Sequence, residues 1–397
     1  MLDFRRQELG DVFVAHLIQE LSRVTTISPE ETQGSPWEEE AVSGSFWPNN
    51  EAVKVVSEFT GLHRTLKRGR LLGRGGFGVV YLARDVERQE EVVLKIAIDY
   101  EKPTKQRLLE LRREAFFYRA LKNVKSSSDA RRRLRLMVPS DVVSVVRRPS
   151  ALEYDDSNIW IPNLFMVMPK AETDLARVFT KLLVRFPQLW TSDVAQMARL
   201  HVTWAIIKVV ANMHRRGMVH ADVKLSNFVV MRDGRVLLGD FGTCQPVSYF
   251  GELPCTEGYI PPERPRLAQP IVYSFAIDAW QLGIAIYRLW CSVRPSQNED
   301  IRGEVRFEQC TTGPPLQVQT LVRRFLDMSP ESRLLPLQAV RSDEFRQIRE
   351  DVKRALAAGG QLLLDRSKAH SANEEGAPEG EPTDSVGHAS IASSDGG

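Results

Sequence analysis

Apolar and polar positions divide this chain into two differently patterned stretches. From about residue 66 to 98 the pattern is strand, glycine-rich turn, strand, turn, strand, with Val79, Tyr81, Val92, Leu94 and Ile96 alternating with their neighbours. Residues 104–121 change to a helical period, and strands are expected again at about 136–146 and 159–168. From Leu175 onward helical periodicity dominates, broken by one short β-like stretch at 227–238. A β-rich first lobe with one main helix, followed by a larger helical lobe, is an α+β bilobal arrangement.

The flanks read differently. Residues 1–24 place Leu2, Leu9, Phe13, Leu17, Leu21 and Val24 near one helical face, which predicts a short helix packed on the β-rich lobe or on a partner. Contact of this segment with a membrane surface is the weaker alternative, because only Arg5, Arg6 and Arg23 are basic there. Residues 28–50, rich in Ser, Pro, Gly and Glu, read as a loose linker that Trp37, Phe46 and Trp47 could pin down. Residues 366–397 hold few large apolar groups and are expected to be disordered. The resulting division is an N-terminal extension over 1–65, one domain over 66–358 with lobes at 66–171 and 172–358, and the tail.

Composition removes some function classes. A net charge of +2 on 397 residues gives no global drive toward nucleic acid or membrane, and no nucleic-acid partner is expected. No run of about 18 apolar residues predicts a membrane span. Asp3, Glu8, Asp11 and Glu20 interrupt any signal-peptide core, so either the chain stays where it is made or its true start lies upstream. Arg131, Arg132, Arg133 and Arg135 crowd the stretch from Lys122 to Arg135; a solvated loop is favoured there over a docking patch for an acidic partner. The four cysteines, Cys244, Cys255, Cys291 and Cys310, form no CxxC pair, which argues against zinc and leaves reduced thiols and two disulfides both open.

The candidate chemistry is phosphoryl transfer. Gly73, Gly75 and Gly78 would let backbone N–H groups approach phosphates, and the strand-like Val79-Val80-Tyr81-Leu82-Ala83 that follows argues against a dinucleotide fold, which needs a helix there. Lys95 ends the apolar run Val92-Val93-Leu94-Lys95-Ile96 and needs partners if buried. Further on stand His220-Ala221-Asp222-Val223-Lys224-Leu225-Ser226-Asn227, then Asp240-Phe241-Gly242, then Pro261-Pro262-Glu263. In this order these pieces resemble the protein-kinase family over roughly residues 62–358.

The resemblance implies a bilobal protein-kinase fold that uses ATP and Mg²⁺. It makes Asp222 the residue that orients the substrate hydroxyl and accepts its proton, and Lys224 the neutraliser of the γ-phosphate. Asn227 and Asp240 become the metal ligands, and Glu114 the partner of Lys95, with Glu110 as fallback. The nucleotide site further takes Val80, the hinge Pro169–Ala171, Met168 as gatekeeper and Asp174 toward the ribose. His220 and Phe241 read as packing residues, Glu263 is expected to pair with Arg333, Asp278 to brace the catalytic loop, and Thr256 to bond Asp222 and Lys224. Lys224 resembles the serine/threonine subgroup, so the implied partners are proteins with Ser/Thr acceptors.

Three departures stand out. Ala221 replaces the arginine that usually reads a phosphorylated activation loop, so a constitutively ordered loop is expected. Val93 tightens the adenine pocket, and Pro261 stiffens the segment before Glu263. Leu238-Gly239-Asp240-Phe241-Gly242-Thr243, Gly258-Tyr259-Ile260-Pro261-Pro262-Glu263-Arg264-Pro265 and Ala279-Trp280-Gln281-Leu282-Gly283 resemble apicomplexan rhoptry kinases. That branch implies secretion toward a host cell or parasitophorous vacuole, with host proteins among the substrates. It also implies a Cys291–Cys310 disulfide and a second bridge, Cys244–Cys255. The branch includes pseudokinases, so a nucleotide-binding scaffold is the competing function; the presence of Lys95, Asp222, Asn227 and Asp240 favours activity.

Overall fold

Alternation along the first strands places one row of side chains in a core and the other on a cleft. In the computed structural model, β1 (Ala52–Ser57), β2 (His63–Gly75), β3 (Gly78–Asp85), β4 (Glu90–Ala97), β5 (Asp141–Val145) and β6 (Phe165–Pro169) form an antiparallel sheet ordered β1-β2-β3-β4-β6-β5. The structure describes residues 10–24, 47, 50–75, 78–99, 102–146, 151–154, 159–253, 256–264, 270–291, 305–308 and 310–360. Trp37, Phe46, Cys255 and the tail 366–397 lie outside the described residues. Val79, Tyr81, Leu94, Ile96, Phe165 and Val167 pack as the core beneath the sheet. The opposite row sets Val80 beside Lys95 and Lys95 beside Met166. Strand β1, which the sequence reading leaves in the extension, pairs Ala52–Val56 with Lys67–His63. Trp47 is fully buried, edge-on to Phe165 at 5.7 Å.

Helix α2 (Lys105–Ala115) starts at Thr104, whose hydroxyl accepts from the Arg107 amide, and a 3₁₀ turn over Phe117–Ala120 completes the predicted helical stretch. The helical lobe is built around α3 (Asp193–His214), capped by Ser192 and apolar on nearly every side. By length and composition α3 could cross a membrane, yet 78% of its apolar window is buried, which marks it as the core helix. Around it lie α4 (Phe275–Cys291), α5 (Leu316–Phe325) and α6 (Asp343–Ala355). The short strands β7 (Phe228–Val230) and β8 (Val236–Leu238) form the hairpin that appeared as one β-like stretch.

The N-terminal helix α1 (Asp11–Val24) corrects an expectation: it packs along α3 in the helical lobe, not on the β-rich lobe. Phe13, Leu17 and Leu21 enter the large helical core, so its apolar face is spent inside the fold and is not offered to a membrane. The reason is electrostatic as well as apolar. Asp11 is fully buried and meets Arg135 at 2.7 Å and, on α3 itself, His201 at 2.9 Å. Burial alone would raise the Asp11 carboxyl, but His201 and Arg135 outweigh it and hold it below its usual range. Gly234, at φ +80°, permits the approach, because a side chain there would overlap the Asp11 carbonyl.

The basic stretch is a short helix, Ser127–Arg133, capped by Ser126. Arg131 donates to the carbonyls of Val138 and Pro139, Arg133 pairs with Asp129, and Arg135 with Asp11. Much of that charge is therefore committed within the chain. Cys291 and Cys310 are joined by a disulfide. Cys244 carries a free thiol whose sulfur turns inward to the His220 carbonyl at 3.7 Å, and burial pushes the thiol pKa up; its implied partner Cys255 lies outside the described residues.

Candidate active site

The two lobes enclose a cleft of about 580 Å³ whose lining includes Gly73, Val80, Lys95, Met168, Asn227 and Asp240. Its roof is the β2–β3 hairpin, in which Gly75 pairs with Gly78 across a turn outside the described residues. The glycines differ in what they permit. A side chain at Gly78 (φ +145°) would overlap the Ile96 carbonyl, whereas one at Gly73 would meet open space. Packing alone thus requires glycine at 78, and open access is the distinguishing property of 73.

Lys95 lies on β4 facing the cleft, and its Nζ meets Glu114 Oε1 at 2.6 Å and Asp240 Oδ1 at 3.0 Å. Burial by itself would lower the lysine pKa. The two carboxylates outweigh that and hold it above its ordinary value, so Lys95 is a fixed cation. Burial likewise would raise Asp240, and Lys95 pulls it below the usual carboxylate range. Glu114 reaches this site because α2 carries it inward; Glu110 instead lies half-exposed near Arg107 at 3.9 Å. Asp240 adopts a left-handed backbone (φ 63°, ψ 74°), which turns its carboxylate toward Lys95 while the next residue, Phe241, stacks on Phe117 at 4.3 Å.

The loop from His220 to Asn227 is held from below by α4. Asp278, fully buried, accepts from the amides of His220 (2.8 Å) and Ala221 (2.7 Å) and contacts His214 Nε2 (2.8 Å). Gln281, one turn on, accepts from the Val223 amide and donates to the Ala221 carbonyl. These bonds fix Ala221 at φ 66°, a conformation an alanine avoids. Asp222 Oδ2 then meets Lys224 at 2.8 Å, and Thr256 joins the pair, accepting from Lys224 and donating to Asp222 Oδ1, both at 2.7 Å. His220 bonds the Gly239 carbonyl at 3.0 Å and, with Phe241, links the loops as packing residues do.

Asn227 donates its amide nitrogen to the Asp222 carbonyl and to Asp222 Oδ2, which orients its Oδ1 as an acceptor. The Asn227 and Asp240 oxygens, with phosphate oxygens and water completing the set, suit a hard divalent cation. At the other end of the cleft lie Met168, Pro169 and Ala171; Met166, two residues earlier on the same strand face, lines it as well. Asp174 lines the cleft and accepts from the Arg177 amide at 2.9 Å. Sequence reasoning missed Met137, Met166, Val229 and Arg177 as lining residues, and the brace from Gln281. For Met166 and Val229 the period-two pattern was available: each alternates with a core-facing neighbour.

A family model described as Kinase-like matches residues 53–333. Serine/threonine-protein kinase ROP18 of Toxoplasma gondii is 37% identical over 349 residues, covering 87% of this chain and 62% of that protein. Rhoptry protein 4 of the same organism is 29% identical over 328 residues, covering 80% and 56%. The chain thus spans about three-fifths of the length of these curated relatives. Among solved structures, the ROP18 kinase domain in complex with AMP-PNP and sucrose matches with a TM-score of 0.79 at 35% identity, over 90% of this chain and 98% of that one. ROP2 from Toxoplasma gondii, described as a virulence factor with a protein-kinase fold and no enzymatic activity, matches at 0.77 and 26% identity, over 89% and 99%.

Proposed function

The chain belongs to the kinase-like family, and from that premise we propose that it transfers the γ-phosphate of ATP, with Mg²⁺, to serine or threonine of protein substrates, as a rhoptry-type effector kinase. The observation that carries this reading is that the Lys95–Glu114–Asp240 cluster lines the cleft together with Asn227, which in turn bonds Asp222 of the Asp222–Lys224–Thr256 cluster. In this reading Gly73, Gly75 and Gly78 leave backbone amides open to phosphate oxygens, and Lys95 holds the α- and β-phosphates. Val80, Val93 and Met168 pack the adenine, whose polar edge is met by the Pro169 carbonyl and the Ala171 amide, and Asp174 lies toward the ribose. Asn227 and Asp240 would hold Mg²⁺, which supplies charge neutralisation at the phosphates when bound. Asp222 orients the substrate hydroxyl and takes its proton, and Lys224 offsets charge at the transferred group. Host proteins are the substrates that the rhoptry relationship suggests.

A second reading, a nucleotide-binding scaffold without transfer, is favoured by the likeness to ROP2. One experiment separates them: transfer of labelled γ-phosphate to a generic basic protein with Mg²⁺, comparing wild type with Asp240→Ala. Transfer lost in the variant supports the kinase. No transfer from wild type, with Mg²⁺-ATP still raising Tm, supports the scaffold.

A further inference from the structure

Helix α4 begins beneath the catalytic loop with Asp278 and, ten residues on, carries Arg288, about 15 Å along its axis. Arg288 Nη1 donates to the Tyr259 hydroxyl at 2.9 Å, and its guanidinium carbon lies 5.5 Å from that ring's centroid. Tyr259 stands three residues beyond Thr256, whose hydroxyl bonds Asp222, so the connecting chain reaches at most about 10 Å. Arg288 is half-buried, and its Nε is enclosed without a hydrogen-bond partner. Among the described residues no carboxylate pairs with it; Glu252 and Glu257, exposed on the same segment, make no ion pair with it. The contrast with Arg333 is direct, since that guanidinium meets both oxygens of Glu263 at 2.8 and 2.9 Å. Arg199, another guanidinium in this lobe with unpartnered nitrogens, is fully buried, with the Trp190 and Trp290 rings 4.4 and 5.1 Å away, and cannot reach an outside group.

A partly desolvated cation with no anion among the described residues, at the edge of the segment that carries Thr256, is a charge waiting for a partner. We infer that Arg288 is a specificity-determining residue that reads an acidic side chain, Asp or Glu, of the protein substrate within about three positions of the acceptor hydroxyl. An extended peptide advances about 3.3 Å per residue, so three positions cover the reach of about 10 Å from Thr256 to Tyr259. A basic residue at the same place would meet like charge and be rejected. The inference rests on the kinase reading.

The test walks a single Asp, then a single Lys, through the four positions on each side of a serine in an otherwise neutral peptide. With wild type, Asp at one position is expected to give a kcat/KM about tenfold above Lys at that position, mostly through KM. Arg288→Gln should bring that ratio near one, and Arg288→Glu should invert it. A prop that merely supports Tyr259 would change the rate on every peptide alike, so an unchanged ratio in the variants overturns the inference. If neither variant keeps a cooperative melt, the wild-type walk decides: no Asp preference at any position is equally fatal. Failure of wild type to phosphorylate the peptides or the generic basic protein would instead remove the kinase reading, and this inference with it.

Discussion

Asp278→Asn isolates the bracing of the catalytic loop with almost no change in shape. In the wild type one carboxylate serves three partners, the amides of His220 and Ala221 and the His214 ring, with no exposed surface. Asparagine keeps one oxygen and replaces the other with a donor. The best placement leaves that oxygen with His220 and His214 and sets an NH₂ against the Ala221 N–H. Orphaning one buried amide costs about 1–3 kcal/mol, and each remaining bond loses about 1 kcal/mol when its acceptor becomes neutral. Relief from burying the charge offsets part of this, so a loss of about 3 kcal/mol is expected. At about 2–4 °C per kcal/mol for a unit of this size, Tm should fall on the order of 10 °C. The loss also acts on conformation. Ala221 holds φ 66° at a cost of about 1–2 kcal/mol, and without its amide partner it can relax to the right-handed region and displace Asp222. A shift of about 1 Å in a reacting group can cost about 10²-fold in rate. Adding Ala221→Gly, which adopts that φ freely, should recover part of the transfer rate. The assay is thermal melting beside single-turnover phosphate transfer for wild type, Asp278→Asn and the double variant. A single variant that melts within about 1 °C of wild type and transfers at the same rate would refute the argument.

Two further perturbations follow from charge and cross-linking. Asp11→Ala removes the fully buried carboxylate that Arg135 and His201 meet at the foot of α1, and should cost about 3–5 kcal/mol at neutral pH. Because the folded Asp11 pKa lies below its ordinary 3.8, this stability is present above that pH and is lost as pH falls through the folded value. The Tm gap between variant and wild type should therefore be full at about pH 5–7 and close below about pH 4; a gap that widens on acidification would contradict the assignment. The Cys291–Cys310 bridge spans 19 residues, and closing a loop of that size stabilises by about 3 kcal/mol. Reductant should lower the Tm of wild type but not of Cys310→Ala, and equal shifts in both would place the effect elsewhere.

The two-lobed α+β class, the order of the phosphate-transfer residues and the need of Lys95 for an anion are legible in the sequence alone, through short-range signals: period-two alternation, glycine spacing, and a lysine in an apolar strand. The choice of Glu114 as that anion is what the resemblance to the protein kinases implies. Likewise Glu263 and Arg333, far apart in the chain, are legible because each sits in a recognisable local pattern. Other features had no local signal. The amphipathic pattern of α1 says that one face is buried but not against what, and only the meeting of Asp11 with Arg135 and His201 set it on the helical lobe. The inward turn of the Cys244 sulfur to the His220 carbonyl is likewise announced by nothing in its neighbourhood. The left-handed Ala221 has no glycine to announce it, because three bonds from Asp278 and Gln281 impose it from another helix. Periodicity reports the environment of a residue, whereas partner choice among distant residues is settled by which arrangement satisfies the buried charges and amides together.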